Sequence, residues 1–233
     1  MDLEGKIAIV TGVSKGIGFA MIKQLLDQGT IVAGWGRTAP LIDHANFHYF
    51  VADVSSETSV NNAFNKTIST IGNDISILVN NAGFGFESTF EDTPVDQWHQ
   101  MFSTNVDGIF YCSRLVIPRM KEMDSGHIVN ISSIAGTNGI AGMAGYCATK
   151  HAVTGLSHSM YKELRNFGIK VTCIYPGSVK TNFFDKIESV TVSDNMMMPE
   201  DIADTILHCI QSSGNYHHVD IEVRPLRPKG KIV

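Results

Sequence analysis

The sequence predicts an α/β fold, a single doubly wound parallel sheet of about seven strands with helices on both faces. Three observations predict it. Short β-branched apolar runs alternate with longer amphipathic stretches along the 233 residues. A glycine-rich turn joins the first apolar run to the first amphipathic stretch. No repeat, low-complexity tract or linker divides the chain, so residues 1–233 read as one domain. Parallel strands need crossover connections, and crossover helices produce this alternation.

The elements follow in order. Lys6–Thr11 reads as a strand and Gly16–Gln28 as an amphipathic helix. Ile31–Trp35 and Phe47–Ala52 are strands, Glu57–Ile71 a helix and Ile75–Asn80 a strand. Pro94–Thr104 and Val106–Met123 read as two helices, the second with apolar residues at three- and four-residue spacing. His127–Ser132 is a strand, Tyr146–Phe167 a long helix and Lys170–Tyr175 a strand. Pro199–Gln211 is a helix with Pro199 in its first turn, where a missing N–H leaves no bond unmade. Val219–Val223 closes the sheet. The exception is Thr181–Met198, which has no clear period and holds Phe183, Phe184 and the run Met196–Met198. A loop of this length points to a substrate loop. The alternative is a surface loop whose methionines fill a gap in the core.

Composition excludes several classes. With 43% hydrophobic and 18% charged residues, the chain is neither disordered nor membrane-embedded. A net charge of −5 argues against a nucleic-acid partner, which needs clustered cations. Asp2 and Glu4 stand where a signal peptide carries positive charge, and no apolar stretch reaches the ~20 residues that cross a bilayer. Cys112, Cys147, Cys173 and Cys209 are scattered, as free thiols in a reducing cytosol would be, so a cytoplasmic location is expected. The histidines, His217 and His218 included, show no metal-ligand spacing, so no metal is expected.

The turn Thr11-Gly12-Val13-Ser14-Lys15-Gly16-Ile17-Gly18 follows the first strand and opens the first helix. Glycines let the backbone approach a pyrophosphate, which then sits on the positive helix N-terminus. The end of the second strand chooses the dinucleotide, because an acid there takes the ribose 2′-hydroxyl of NAD. Here it reads Trp35-Gly36-Arg37-Thr38, without an acid. Arg37 grips a phosphate with two prongs and Lys15 adds a second cation, so NADP (NADPH) is the expected cofactor. The alternative is that both are solvated surface residues. Asp53-Val54 ends the third strand, where Asp53 can accept from an adenine amino group or cap the helix near Glu57.

Four further elements line up: Asn80-Asn81-Ala82-Gly83, Asn105, Asn130-Ile131-Ser132-Ser133, and Tyr146-Cys147-Ala148-Thr149-Lys150. With the glycine turn and Pro176-Gly177 they stand in the order of the short-chain dehydrogenase/reductase family, which the chain resembles over nearly its whole length. Ser133 and Tyr146 are thirteen residues apart, as in that family. The resemblance implies a Rossmann-type fold and hydride transfer between the nicotinamide and a carbonyl or secondary alcohol. It implies that Lys150 also bonds the nicotinamide ribose. Asn105 would support a water-linked proton path, and the Val179 backbone and Thr181 side chain would hold the carboxamide.

The residues themselves support acid/base chemistry. Hydride addition to a carbonyl leaves an alkoxide that needs a proton, which Tyr146 can give. A free phenol has a pKa of ~10, and lowering it by about three units needs about 4 kcal/mol. Lys150, at i+4 on the same helix face, favours the phenolate, and an oxidised nicotinamide adds positive field. Ser133 can hold the substrate oxygen. Cys147 points about 100° away from Tyr146 on the helix and reads as packing.

The stretches Phe84–Ser88, Ile134–Met143 and Phe183–Phe184 are the expected pocket lining. They offer no cation to a carboxylate, so a neutral, moderately apolar carbonyl is expected. Enzymes of the family that reduce 3-oxoacyl groups on acyl carrier protein carry arginines where this chain has Asp124 and Phe167. The ending Asp220–Pro225 is similar to serine and 3-hydroxy-acid dehydrogenases. A non-enzymatic NADP sensor would lose the Tyr or the Lys. A sugar-nucleotide epimerase would need more than the 83 residues that follow Lys150. Phe110, Leu115, Met160 and Tyr161 read as outward-facing on two helices that the family pairs across two-fold axes, so a homodimer or homotetramer is expected.

Overall fold

The computed structural model describes residues 1–187 and 189–228. Residues 229–233 of the expected domain, and Glu188 within the expected substrate loop, lie outside the described residues. Seven strands form one parallel sheet: β1 (Ile7–Thr11), β2 (Ile31–Gly36), β3 (Phe47–Val51), β4 (Ile75–Asn80), β5 (Gly126–Ile131), β6 (Ile169–Pro176) and β7 (Asp220–Val223). Their order is β3-β2-β1-β4-β5-β6-β7. The chain therefore winds outward from β1 in one direction, returns to β4 and winds outward in the other. The reversal between β1 and β4 opens a crevice at the carboxyl ends of the strands, where ligands of such sheets bind.

Helices cover both faces: α1 (Gly16–Asp27), α2 (Glu57–Ile71), α3 (Val95–Phe102), α4 (Gly108–Glu122), α5 (Ala144–Leu164) and α6 (Pro199–Gln211). Strand β1 shows why both faces are needed. Ala8 and Val10 join a core with Leu25 of α1 and Ile206 of α6. Ile7 and Ile9 point the other way, into a core with Val60 of α2, Val116 of α4 and Leu164 of α5. Alternate residues of a strand face opposite sides, so a run apolar throughout is buried only between two helical layers. Among the described residues no helix is long and apolar enough to cross a membrane.

Three differences from the sequence reading have physical causes. The helices expected on either side of Asn105 are one rod: a π-helical turn, Ser103–Asp107, joins α3 to α4 with Asn105 inside it. Such wide turns recur at functional sites because the extra residue displaces a side chain from the regular face. Helix α2 is capped by Ser56, whose side chain accepts from the Ser59 N–H, and not by Asp53. Leu115, Met160 and Tyr161 are half-buried against the core, whereas Phe110 is exposed.

The stretch after β6 is closed at its base. Val179 and Met197 form a parallel bridge, with the Lys180 N–H donating to Met197 O at 2.8 Å and the Met197 N–H to Ser178 O at 3.1 Å. Between these ends Asn182–Lys186 forms a 3₁₀ turn. The stretch is thus a compact loop with its own internal structure.

Candidate active site

The crevice begins at the glycine turn. Gly12 has φ +72°, and a Cβ there would lie 2.8 Å from Ala82 Cα. At Gly18 a Cβ would strike Gly12 O and the Asn81 side chain. Only glycine allows the ends of β1 and β4 to come this close. Hydrogen bonds lock them. Thr11 Oγ1 accepts from the N–H groups of Asn81 and Ala82, both at 3.0 Å. Asn81 Nδ2 donates to Thr11 O at 2.9 Å and to Gly12 O at 3.1 Å.

Helix α1 starts behind Lys15, which gives no side-chain cap, and its first turn holds no acid. Its leading N–H groups and their partial positive charge therefore face the crevice. Ser14 and Lys15 are exposed on the turn, and Ile17 packs against the core behind it. Arg37 is exposed just past β2, and neither Arg37 nor Lys15 pairs with an acid among the described residues. Val54 is buried after β3 and packs against Gly108. Asp53 Oδ1 accepts from the N–H and hydroxyl of Ser55 at 3.0 and 2.7 Å, which holds the carboxylate in a local turn. An uncapped helix start, a backbone that tolerates no Cβ and two free cations suit an extended anionic ligand such as a dinucleotide.

The second half of the site stands at the ends of β4, β5 and β6. Buried Asn105 clamps the segment after β4: its Oδ1 accepts from the Phe84 N–H at 3.0 Å, and its Nδ2 donates to Phe84 O at 2.9 Å. Nδ2 also donates to Thr149 Oγ1 at 3.0 Å, which ties the segment to α5. A Cβ on Gly83 would lie 3.1 Å from Asn105 Oδ1 and 3.7 Å from Lys150 Nζ, so Gly83 leaves room beside both. Ser133 caps a 3₁₀ turn after β5, its Oγ accepting from the Ala135 N–H at 3.1 Å. The same hydroxyl is near enough to the Tyr146 phenol to favour its ionised form. Lys150 Nζ lies 5.7 Å from the centre of the Tyr146 ring and donates to Ile131 O at 2.7 Å. Pro176 ends β6, and Gly177 N–H donates to Val223 O at 2.7 Å, which sends the chain back over the crevice. Val179 is buried, and the Thr181 methyl stands 3.3 Å from where a Cβ on Gly16 would be. The structure thus brings together the two ends expected from the sequence, with Thr181 spanning toward the glycine turn.

The electrostatics differ from the expectation of a lowered phenol. Burial pushes Tyr146 up to about 12, against the opposing pull of the Ser133 hydroxyl. Burial draws Lys150 down to about 8, with Cys173 acting in the opposite direction. Desolvation disfavours whichever form is charged, so it moves a phenol up and an ammonium down. The cause is the apolar cover: Tyr146 shares a cluster with Met101, Met143 and Ile187, and its ring lies 5.2 Å from that of Phe183. Phe84, Phe86 and Phe184 pack on the same cluster, as expected of the three lining stretches. Thr149, Met101 and Ile187 were not legible in advance. Thr149 carries the only local signal, a polar residue one turn from Tyr146, with its hydroxyl donating to Tyr146 O at 2.8 Å.

Comparison with known proteins agrees with this architecture. Residues 6–191 match the short chain dehydrogenase family. An uncharacterized oxidoreductase of Staphylococcus haemolyticus is 34% identical over 232 residues, spanning 97% of this chain and 99% of its own. The 3-ketoacyl-(acyl-carrier-protein) reductase from Brucella melitensis, solved in complex with NADH, superposes with a TM-score of 0.89 at 25% identity, covering 97% and 99% of the two chains. The closed form of a serine dehydrogenase complexed with NADP⁺ gives 0.83 at 28% identity, covering 93% and 94%. The chain belongs to the short-chain dehydrogenase family of oxidoreductases.

Proposed function

We propose that this protein is an NADP(H)-dependent oxidoreductase, one catalytic domain that interconverts a neutral, moderately apolar carbonyl and its secondary alcohol, with Tyr146 as the acid/base. The observation that carries the reading is the meeting of Ser133, Tyr146 and Lys150 at one sheet edge, beside a glycine turn that no Cβ could occupy. The cofactor-bound relatives support a nicotinamide dinucleotide, and Lys15 and Arg37 support its 2′-phosphorylated form. Gly12, Ser14, Gly16, Ile17 and Gly18 would cradle the pyrophosphate, Asp53 and Val54 would flank the adenine, and Asn81, Ala82 and Gly83 would line the adjoining strand end. Pro176, Gly177, Val179 and Thr181 would close over the nicotinamide end. When bound, the dinucleotide supplies or accepts the hydride.

The chain's residues do the rest. Ser133 donates to the substrate oxygen and orients the carbonyl. Tyr146 is protonated at neutral pH, as a proton donor must be, and its hydroxyl gives the proton to the developing alkoxide. The resulting phenolate is stabilised by the Lys150 ammonium and the Ser133 hydroxyl. Asn105 holds the strand end and α5 in register around Lys150. The apolar cluster over Tyr146 excludes water, which strengthens these electrostatic interactions.

A second reading, reduction of a 3-oxoacyl group on an acidic carrier protein, has two supports: the Brucella likeness, and Lys121, whose Nζ lies 4.2 Å from the Phe167 ring centre. Asp124 stands against it. The test is a panel of ketones and alcohols followed by NADPH absorbance. Tyr146→Phe should lose turnover by a factor on the order of a thousand while binding NADPH normally. Ordinary turnover in that variant refutes the mechanism.

A further inference from the structure

Tyr146 and Lys150 ride on one helix, so their separation is fixed by α5 itself. Their distances to the strand-side groups, the Ser133 hydroxyl and Ile131 O, depend instead on how α5 is seated on the end of β5. Three consecutive residues there hydrogen-bond α5. Asn130 Nδ2 donates to Ser157 Oγ at 2.9 Å. Ile131 O accepts from Lys150 Nζ at 2.7 Å. Ser132 Oγ donates to the backbone carbonyl of Lys150 at 3.1 Å. Ser157 lies about two helical turns beyond Lys150, so the seat has two separated anchors. Asn130, Ser132, Lys150 and Ser157 are all buried, so water does not compete for these bonds. Asn130 is itself held. Its Oδ1 accepts from Asn80 Nδ2 at 2.8 Å, in register on β4, and Asn80 Nδ2 also donates to Ser113 Oγ on α4 at 3.2 Å. The fit at Ser132 is close. A Cβ on Gly136 would strike Ser132 Oγ and lie 2.8 Å from Lys150 O and 3.0 Å from Thr154 Oγ1.

We infer that Ser132 is a positioning residue: its bond to the Lys150 carbonyl, with Asn130 as a second anchor on Ser157, sets the register of α5 so that Lys150 Nζ meets Ile131 O and Tyr146 meets Ser133. The inference rests on the acid/base reading and adds to it the residue that seats the pair. Ser132 stands between the two groups it aligns, the acceptor at Ile131 and the hydroxyl at Ser133. Two anchors two turns apart resist both sliding and tilting of the helix, which a single bond does not. The need for a seat is electrostatic. Lys150 is buried and forms no salt bridge with a carboxylate among the described residues. Its ammonium therefore depends on Ile131 O. A shift of α5 that lengthens this bond leaves a buried cation less stabilised, and lowers the pH at which it loses its proton.

The test compares Ser132→Ala with Ser113→Ala. Each deletes one buried, hydrogen-bonded hydroxyl, but Ser113 bonds Asn80 from α4 and not α5. Both should lower the melting temperature by a comparable amount. The pH dependence of ketone reduction with NADPH should separate them. Ser132→Ala should lose kcat by about tenfold, because misplacement by about 1 Å can cost on the order of a hundredfold. Its alkaline limb in kcat/KM, near pH 8 in the wild type, should move down by at least about half a pH unit. Ser113→Ala should keep the wild-type limb. Should Ser132→Ala not fold, Ser157→Ala, which cuts the second anchor, is read by the same criteria. An unmoved or raised limb overturns this inference alone. An equal shift in Ser113→Ala overturns it too, because the effect is then one of lost stability. Wild-type protein that binds NADPH but turns over no ketone overturns the acid/base reading and this inference with it.

Discussion

Acid should destabilise this fold through one histidine, His127, far from the site. Its side chain is buried on β5, with Nε2 2.8 Å from Thr172 Oγ1. The Thr172 hydroxyl proton is committed to His218 O at 2.6 Å, so Thr172 accepts from His127 and the Nε2–H tautomer is present. His127 Nδ1 is then a buried lone pair without a partner. Protonating it would create a buried cation beside Lys170, His217 and His218. Burial first, and these neighbours after it, hold the imidazole at about 3. In the unfolded chain it titrates near 6.5. The sign follows: above pH 6.5 the ring is neutral in both states and costs nothing. Between pH 6.5 and 3 only the unfolded chain takes up the proton, so stability falls as pH falls. At about 1.4 kcal/mol per pH unit, His127 alone removes about 2 kcal/mol by pH 5. That is a large share of a stability on the order of 5–15 kcal/mol. His127→Gln keeps a donor toward Thr172 and cannot titrate. Urea unfolding followed by circular dichroism at pH 7.5, 6 and 5 should show a wild-type loss about 2 kcal/mol greater than the variant's. His217 and His218, also lowered mainly by burial, remain in both proteins and largely cancel. Parallel pH dependences in the two proteins would refute the argument.

Other outcomes follow from the same geometry. Arg37→Ala should weaken NADPH by about 1.5–3 kcal/mol and leave NADH nearly unchanged in calorimetric titrations; equal losses would sink the phosphate assignment. Gly18→Ala should lower the melting temperature, because its Cβ would meet Gly12 O and the Asn81 amide, with a cost of about 1–3 kcal/mol. Reductive kcat/KM should fall above about pH 8 as Lys150 loses its proton, whereas Tyr146, at about 12, stays protonated. Lys150→Arg should move that limb upward, and an unmoved limb would assign it elsewhere. Light scattering should give a mass at two or four chains, with Phe110→Glu, on the exposed face of α4, shifting it downward.

Much of this molecule was legible as local pattern. The strand–helix alternation predicted a seven-stranded parallel sheet, and each predicted strand lies in it within a residue or two. The glycine turn was legible because a close backbone approach excludes every side chain, which leaves a mark in the sequence itself. The step from Tyr146 to Lys150 was legible from helical spacing, since residues four apart share a helix face, whereas the thirteen-residue step from Ser133 to Tyr146 was legible only through the family resemblance.

Tertiary contact decided the rest. The wide turn at Asn105 exists where that side chain is clamped to Phe84 and Thr149, neither of them near it in sequence. Leu115, Met160 and Tyr161 are turned toward the core, a choice their helical spacing leaves open. The direction of the Tyr146 shift came from burial under a cover assembled from separate parts of the chain, Met101, Met143 and the loop residues Phe183 and Ile187. The sequence determined which chemical groups meet at the sheet edge, because backbone geometry and spacing are properties of a few adjacent residues. The folded structure determined how those groups titrate and what covers them, because desolvation depends on every atom nearby, whatever its distance along the chain.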